Sequence, residues 1–225
     1  MEALAQSTPP TDTKETARPG QVVANSVSGY TQFYKPVIDR LAGCILLVVL
    51  SPLFLASVVA VLVSMGTPAI YRQVRVGKDG ESFELLKLRT MIPDRRKQSE
   101  PFIGPDRRIK HKSPDDPRVS RVGKFLRAVR LDELPQLMNV IKGDMSLVGP
   151  RPELPEIVSD YEDWQHQRHT VKPGLTGLWQ VSAPDGLLMH ECTELDIEYI
   201  SRMSLKTDIS ILAKTPIVIF KRHGF

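Results

Sequence analysis

The sequence predicts an α+β fold that is mostly helical, with an N-terminal re-entrant membrane helix, a small strand pair and amphipathic helices lying in the membrane interface around a site. Three observations predict it. Residues 41–65 contain no charged side chain, residues 69–71 and 83–88 are short β-prone runs, and later segments repeat apolar residues at helical spacing. The 225 residues suit one domain with appendages.

Charge is distributed unevenly along the chain. Residues 71–130 hold 17 Lys and Arg against 8 Asp and Glu, whereas the whole chain has a net charge of +4. This basic block predicts an anionic partner (nucleic acid, lipid head groups or a phosphorylated substrate), although a solvated basic face gives the same pattern. Aromatic residues make up only 6% of the chain, which disfavours stacking on single-stranded nucleic acid, so we expect no nucleic-acid partner. The two cysteines lie far apart and predict no disulfide.

The N-terminal part is predicted to be a flexible tail at 1–30 and a membrane segment at 31–66. About 20 apolar residues cross a bilayer core, so the uncharged run is long enough, and a buried helix of a soluble core is the less favoured alternative. Ser51-Pro52 predicts a break, because proline removes a backbone donor and the Ser51 hydroxyl can donate to a freed carbonyl. Basic residues flank the run on both sides, which favours a re-entrant hairpin over a kinked spanning helix.

Two short strands and a loop are predicted next. The strands at 69–71 and 83–88 flank a turn at 77–80 that contains two glycines. Residues 93–117 are polar, basic and proline-containing, and this composition predicts a loop.

Three helices are predicted in the remaining chain. The first, at 122–129, has an apolar face, as in a helix lying on a membrane surface or in any packed surface helix. The second opens at the pair Asp132-Glu133 and closes at Gly143. The third opens at residues 207–208, is interrupted by Pro216, and has enough apolar residues to contact lipid.

The acidic pair is the strongest candidate for chemistry. Acidic residues cap helix starts, so a structural role is the simpler interpretation of Asp132 and Glu133 taken alone. A helix N-terminus also binds anions, and a carboxylate held beside a phosphate can attack phosphorus to give an aspartyl phosphate. Mg²⁺ would offset the repulsion between carboxylate and diphosphate, so we expect Mg²⁺ on Asp132 and Glu133.

Basic side chains are candidates for phosphate binding. Two prolines restrict the backbone beside Arg151, which suits bidentate phosphate binding, although a rigid turn with a solvated arginine is an equal alternative. Lys87, Arg89 and Arg127 offer further cations. His166-x-x-His169 and residues 190–192 are the only hints of a transition-metal site, and they lack a third and a fourth ligand.

Several motifs occur in a fixed order. They are Ser51-Pro52, GTPAIYRQVRVG at 66–77, KLRTM at 87–91, LDELPQLMNV at 131–140, GDMSLVGPRP at 143–152 and RHTVKPGLTG at 168–177. From about residue 35 onward the chain resembles the bacterial sugar transferases, monotopic phosphoglycosyl transferases that start polysaccharide and glycoconjugate assembly. The LDELPQL and GDMSLVGPRP blocks in this order are its most specific part.

The resemblance implies an enzyme of the bacterial inner membrane whose catalytic domain, residues 67–225, lies on the cytoplasmic face. Its implied reaction is transfer of a sugar-1-phosphate from a UDP-sugar to undecaprenyl phosphate with release of UMP, the first membrane step of exopolysaccharide or glycoconjugate synthesis. In the family an Asp-Glu pair supplies the nucleophile and forms a covalent phosphosugar intermediate with Mg²⁺. This implies Asp132 as nucleophile with Glu133 in support, and Lys87, Arg127 and Arg151 on phosphates.

The chain departs from the family pattern at three places. Lys35-Pro36 stands where a basic pair is usual, KLRTM stands for KFRTM, and residues 182–185 replace a common Gly-Arg segment, a change that bears on nucleotide or sugar recognition. The sequence shows no counterpart of the further N-terminal membrane helices of larger members, so we expect it to belong with the small class. A homo-oligomer and contacts with downstream glycosyltransferases stay open. The alternative function is a non-catalytic membrane module that binds anionic lipid through residues 71–130.

Overall fold

The computed structural model describes residues 29–92, 118–183 and 192–221. Most of the predicted tail, the predicted loop at 93–117, and the positions 184–185 and 190–191 lie outside the described residues.

The described part of the chain is mostly helical with short strands, which confirms the predicted α+β class. A π-helical turn at Tyr30–Tyr34 comes first, and 3₁₀ turns lie at Lys78–Gly80, Leu131–Glu133 and Asp163–Thr170. The other elements are α1 (Lys35–Val49), α2 (Ser51–Met65), β1 (Ile70–Val76), β2 (Ser82–Leu88), α3 (Arg121–Ala128), α4 (Gln136–Lys142), β3 (Ser146–Val148), α5 (Pro155–Val158), β4 (Gly174–Thr176), α6 (Leu178–Ser182), α7 (Thr193–Ser201) and α8 (Leu205–Lys221).

The predicted strand pair is present. β1 and β2 run antiparallel with Tyr71 opposite Lys87, and the turn between them uses left-handed backbone at Asp79 (φ 55°) and Gly80 (φ 79°). A second pair was not predicted: β3 and β4 are parallel, with Ser146 opposite Gly174. Strands of three residues are too short to show an alternating pattern, so the sequence gives no signal for them.

The uncharged run is broken as predicted. The helical axes of Tyr30–Val49 and Ser51–Met65 differ by 65°, and the Ser51 hydroxyl donates to the Val48 carbonyl at 2.8 Å. No single helix in the described residues is long and apolar enough to cross a membrane, whereas this bent pair reaches that length and composition when taken together.

Helices α1 and α2 bury polar and small side chains and expose apolar ones. The exposed apolar side chains on the two helices include Val37, Leu41, Ile45, Val48, Val49, Leu55, Val59 and Val63. On the buried side, Lys35 Nζ lies 2.6 Å from Asp208 Oδ2, and the Ser146 hydroxyl donates to Asp39 Oδ2 at 2.6 Å. These contacts fix α1 to α8 and to β3.

Strand β2 runs between two apolar clusters. One cluster surrounds Leu85 and contains side chains from α4, β3, α7 and α8. In the other, Leu88 packs with Val61 of α2 and Leu126 of α3. Lys87 lies between the two leucines and is thereby held at a defined place. Leu126 is buried but Phe125 is exposed, so the apolar face predicted for α3 is split between the protein and its surroundings.

Two predicted helix starts are corrected. The helix predicted to open at the acidic pair begins at Gln136, because Arg130 adopts a left-handed conformation (φ 59°) and the pair forms a 3₁₀ turn. Its end at Gly143 (φ 98°) is confirmed. The last helix begins at Leu205, since the Ser204 hydroxyl accepts the Thr207 N–H, and it continues through Pro216 without a break.

Candidate active site

The acidic pair is buried on the 3₁₀ turn between α3 and α4. Asp132 and Glu133 are each only 8% exposed. The N–H groups of Glu133 and Leu134 donate to backbone carbonyls within the turn. The turn therefore does not present these amides to a ligand, and neighbouring cations supply the positive charge that the predicted helix N-terminus would have given.

Three cations converge on one oxygen of Glu133. Arg151 Nη2 lies 2.7 Å from Glu133 Oε1, Lys87 Nζ lies 3.1 Å from it, and Arg130 Nη1 lies 3.9 Å from it. They come from three stretches of the chain: β2, the residue before the acidic turn, and the segment after β3. The three cations share one carboxylate, so the cluster keeps a net positive charge. Such a cluster suits a ligand with several negative charges, such as a diphosphate.

These cations keep Glu133 ionised. Burial alone would raise the pKa of Glu133, but the charges of Arg151, Lys87 and Arg130 outweigh it and lower that pKa well below its ordinary value. Glu133 in turn raises the pKa of the Arg151 guanidinium. Burial lowers the pKa of the Lys87 ammonium, and Glu133 partly offsets that shift. Glu133 therefore acts as a fixed anchor that orients two phosphate-binding candidates.

Asp132 has a different electrostatic state from its neighbour. Burial, followed by the charge of Glu133, raises the pKa of Asp132 to about 6 against the opposing charges of Lys87, Arg130 and Arg127. Its Oδ1 is buried and has no hydrogen-bond partner among the described residues. Leaving a buried carboxylate oxygen unpaired costs free energy, so this atom is available to a ligand or a reaction. At neutral pH the group is mostly ionised and is a stronger nucleophile than an ordinary aspartate.

The backbone beside Arg151 is clamped on both sides. The Gly174 N–H donates to the Pro150 carbonyl at 2.8 Å, and Arg168 Nη2 donates to the Arg151 carbonyl at 2.7 Å. Arg168 is itself buried and lies 2.6 Å from Asp196 Oδ2. The two prolines and these hydrogen bonds together hold the Arg151 guanidinium in place, so little conformational entropy is lost when it binds a phosphate.

The other two predicted phosphate ligands occupy different positions. Arg127 lies beside the site, and its Nε donates to Thr90 Oγ1 at 2.8 Å. Arg89 instead donates to backbone carbonyls at the C-terminal end of α2: Met65 at 2.5 Å, Gly66, and Thr67 at 3.0 Å. Because carbonyls at a helix end lack partners within the helix, a buried guanidinium is used there as a cap. We therefore leave Arg89 out of the proposed phosphate ligands.

Sequence reasoning missed the roles of Arg130 and Arg168. Arg130 reaches Glu133 because its backbone is left-handed, which is rare for residues other than glycine and leaves no pattern in the sequence. Arg168 belongs to the RHTVKPGLTG motif, but its burial and its hydrogen bond to the Arg151 carbonyl depend on tertiary structure. An arginine in a polar segment resembles a solvated one until the fold is known.

The residues present fit Mg²⁺ bound together with a phosphate group. In the part of the chain that the structure describes, no three His, Cys, Asp or Glu side chains are grouped as metal ligands. Mg²⁺ needs fewer, because it takes one or two carboxylates and completes its shell with water and phosphate oxygens. The Asp132 carboxylate, which has two oxygens, can give one to such a site, whereas Glu133 Oε1 is already shared by the cations.

Comparison with known proteins agrees with the family resemblance of the sequence motifs. Residues 30–222 match the family model described as bacterial sugar transferase. The chain is 39% identical over 194 residues to the exopolysaccharide production protein ExoY of Rhizobium meliloti, covering 83% of this chain and 86% of that protein.

Two further relatives have names that state an activity. The UDP-glucose:undecaprenyl-phosphate glucose-1-phosphate transferase of Caulobacter vibrioides is 39% identical over 193 residues, covering 80% of this chain and 67% of that protein. The undecaprenyl-phosphate galactose phosphotransferase of Salmonella typhimurium is 37% identical over 200 residues, covering 86% of this chain but 42% of that protein. The chain thus spans less than half the length of some of the relatives that it matches.

Proposed function

Because this chain belongs to the bacterial sugar transferase family, we propose that it transfers a sugar-1-phosphate from a UDP-sugar to undecaprenyl phosphate and releases UMP. The observation that carries the proposal is the pairing of an unpartnered, buried Asp132 oxygen with a cation cluster on Glu133. The first supplies a nucleophile and the second binds a diphosphate. The names of relatives that act on UDP-glucose and undecaprenyl phosphate support the same substrates.

The proposed reaction is two displacements at one phosphorus. An oxygen of the Asp132 carboxylate attacks the phosphorus that carries the sugar, and the P–O bond to the uridine-bearing phosphate breaks, so that UMP leaves with the bridging oxygen. A phosphate oxygen of undecaprenyl phosphate then attacks the phosphorus of the covalent intermediate. The bond to Asp132 breaks, which regenerates the carboxylate and gives the polyprenyl diphosphate sugar. Neither displacement requires a proton transfer to or from Asp132.

The side chains around Asp132 have separable roles in this proposal. Arg151 and Lys87 bind the phosphate oxygens and stabilise the charge that develops on the leaving UMP, and Arg127 contributes positive charge from the side. Glu133 keeps Arg151 and Lys87 oriented. Mg²⁺ held by the Asp132 oxygen that does not attack, with Glu133 nearby, would neutralise part of the diphosphate charge.

We propose that α1 and α2 form a re-entrant hairpin in the inner membrane, with the active site on its cytoplasmic face. Their exposed apolar side chains and the 65° bend support this arrangement. Exposed Ile209 and Ile217 of α8 and Phe125 of α3 support further contact of the domain with the interface. The polyprenyl acceptor would then reach Asp132 from the lipid side.

A product assay tests the proposed function. The purified protein in lipid nanodiscs is given UDP-glucose, UDP-galactose and other UDP-sugars with undecaprenyl phosphate and Mg²⁺. We expect UMP and lipid-linked sugar in a 1:1 ratio from at least one donor, and chelation of Mg²⁺ to abolish both. Release of UDP would indicate glycosyl transfer instead, and salt-sensitive vesicle binding without UMP from any donor would favour the non-catalytic lipid-binding module.

The rate should depend on pH through Asp132. Because only the carboxylate can attack phosphorus and its pKa is about 6, kcat/KM is expected to rise tenfold per pH unit below pH 6 and to level off above it. Burial also raises the pKa of Asp196 to about 6, so unfolding must be monitored over the same pH range. A flat profile from pH 5 to 8 in a protein that stays folded would contradict the assignment of the nucleophile.

A further inference from the structure

An exposed apolar strip runs along α3 toward the acidic turn. It consists of Phe125, which is 62% exposed, and Val129, the residue after the helix, which is 37% exposed. The two are four residues apart, so their side chains are neighbours on one face. Leu126 of the same helix is buried and packs with Val61 of α2. The strip therefore lies alongside the hairpin half that α2 forms.

Arg130 joins this strip to the active site. It follows Val129 directly, and its Nη1 lies 3.9 Å from Glu133 Oε1. Its side chain is 38% exposed, compared with 19% for Lys87 and 18% for Arg151. The cluster thus has two deep cations and one cation at its rim, and the rim cation is the one next to the apolar strip.

Positive charge and backbone strain both mark this end of α3 as a place for an anion. The helix contains Arg121, Lys124 and Arg127 and no acidic residue, so its field attracts a negatively charged group. Arg130 has a φ of 59°, in the left-handed region that is unfavourable for a residue with a side chain. Such strain is found mostly where a side chain is placed for function. A glycine would avoid the strain, but it would leave no cation next to Val129.

We propose that the apolar strip and Arg130 form the binding site for the polyprenyl phosphate acceptor. The inference rests on the proposed function and names the subsite of its second substrate. This acceptor is an amphiphile with a terminal phosphate of up to two negative charges and an uncharged isoprenoid chain. The isoprenoid units next to the phosphate pack on Phe125 and Val129, and the phosphate lies against Arg130, beside the turn that carries Asp132.

The division of the cation cluster supports this assignment. Lys87 and Arg151, the deep cations, are left for the diphosphate of the donor, and the rim cation meets the substrate that arrives from the lipid. A bilayer phospholipid could also cover the apolar strip. Its phosphate is a diester with one negative charge, however, whereas a terminal monoester brings more charge and three unsubstituted oxygens to Arg130.

Photo-crosslinking locates the acceptor without depending on turnover. The full chain in nanodiscs is mixed with a polyprenyl phosphate that carries a diazirine near the phosphate, and labelled residues are identified by mass spectrometry. We expect label on α3 around Phe125. Excess undecaprenyl phosphate should suppress that label, and an equal excess of phosphatidylglycerol should not. Label that avoids α3, or equal suppression by both lipids, would overturn the inference.

The two half-reactions separate the acceptor site from the donor site. Donor alone gives a burst of UMP and the covalent intermediate, and undecaprenyl phosphate added afterwards discharges it. In Phe125→Gln we expect a wild-type burst and an increase of about tenfold in the acceptor concentration for half-maximal discharge, the effect of losing one apolar contact. Ile209→Gln is the matched control, because Ile209 is 56% exposed on α8, and it should change neither quantity.

Arg130→Gly tests the phosphate end of the site. Glycine adopts the left-handed backbone readily, so the variant removes the guanidinium without adding strain. We expect the acceptor concentration for half-maximal discharge to rise further than in Phe125→Gln, and discharge to be slowed more than the UMP burst. An Arg130→Gly variant that slows the burst more than the discharge would place Arg130 on the donor and overturn the inference.

The remaining outcomes separate the inference from the proposed function. An unchanged acceptor requirement in Phe125→Gln would overturn the inference. An equal rise in Ile209→Gln would do so too, because the effect would then be on general contact with lipid. If α3 is labelled and undecaprenyl phosphate competes, but the wild type releases no UMP, the proposed reaction fails and the acceptor site stands. If the wild type makes lipid-linked sugar and α3 is not labelled, the reaction stands and the acceptor site fails.

Discussion

Asp132→Asn is expected to lower the turnover of nucleotide sugar by at least about 10³-fold, the largest effect of any substitution in this chain. Asparagine keeps the size of the side chain but removes the carboxylate that attacks phosphorus. The measurement is UMP release under saturating donor, together with a trapping experiment in which donor labelled in the sugar is supplied without acceptor. Label should remain with the denatured wild-type protein and should be absent from the variant.

The same substitution is expected to leave the stability unchanged or to raise it. The folded-state pKa of about 6 lies above the ordinary value for aspartate, so the folded protein binds the proton more tightly than the unfolded chain does. The free energy of unfolding therefore falls as the pH rises from about 4 through 6. At pH 7 the folded state is destabilised by the full amount that a buried, ionised carboxylate costs. Asparagine avoids that cost. At pH 7 the Tm of Asp132→Asn should equal or exceed that of the wild type, and any excess should shrink as the pH is lowered to 4.

Loss of activity with a retained or raised Tm would separate a reacting carboxylate from a helix cap. If Asp132 were only a cap, asparagine would serve about equally well, so Asp132→Asn would spare both Tm and turnover, whereas Asp132→Ala would lower the Tm. Asp79→Asn is the matched control, because Asp79 is exposed on the turn between β1 and β2, and it should change neither quantity. Turnover of Asp132→Asn within tenfold of the wild type, or label bound elsewhere than residue 132, would reject the nucleophile.

The features that were predictable from the sequence are those that local physics decides. A run without charges, a proline in its middle and a glycine-rich turn each act within a few residues, so the bend at Ser51-Pro52 and the β1–β2 pair could be anticipated. The residue types of the acidic pair and the rigid Arg151 turn could also be recognised. Carboxylate and guanidinium groups have few chemical roles, so the residue types alone indicated a nucleophile and a phosphate ligand.

The missed features depend on contacts between distant parts of the chain. Lys87 on β2 and Arg89, the residue that follows β2, look equivalent in the sequence, yet Lys87 contacts Glu133 and Arg89 caps α2. The difference lies in which partner each side chain meets, a matter of tertiary packing. The start of α4 was wrong for a related reason. The rule that acidic residues open helices describes the average case, and a left-handed Arg130 makes this pair a separate 3₁₀ turn.

Arg151→Met is expected to lower kcat/KM by about 10²–10³-fold, because it removes the guanidinium that binds the diphosphate oxygens. It should also lower the free energy of unfolding by about 1–3 kcal/mol, since Glu133 loses its closest cation and remains buried. Steady-state kinetics and thermal unfolding measure the two effects. Arg72→Met is the matched control: Arg72 makes an exposed ion pair with Glu84 at 3.2 Å, and its loss should change neither quantity appreciably.

The double variant Arg151→Met, Glu133→Gln decides what Arg151 does. Its reference is Glu133→Gln alone, because Glu133 also orients Lys87. If the arginine only neutralised Glu133, the double variant would turn over as fast as Glu133→Gln. If it binds phosphate, the double variant should regain much of the lost Tm, because no unpaired carboxylate remains buried, while its kcat/KM stays well below that of Glu133→Gln. Recovery of turnover in the double variant would remove Arg151 from the phosphate site and leave Lys87 as the cation nearest to Glu133 that could hold the donor.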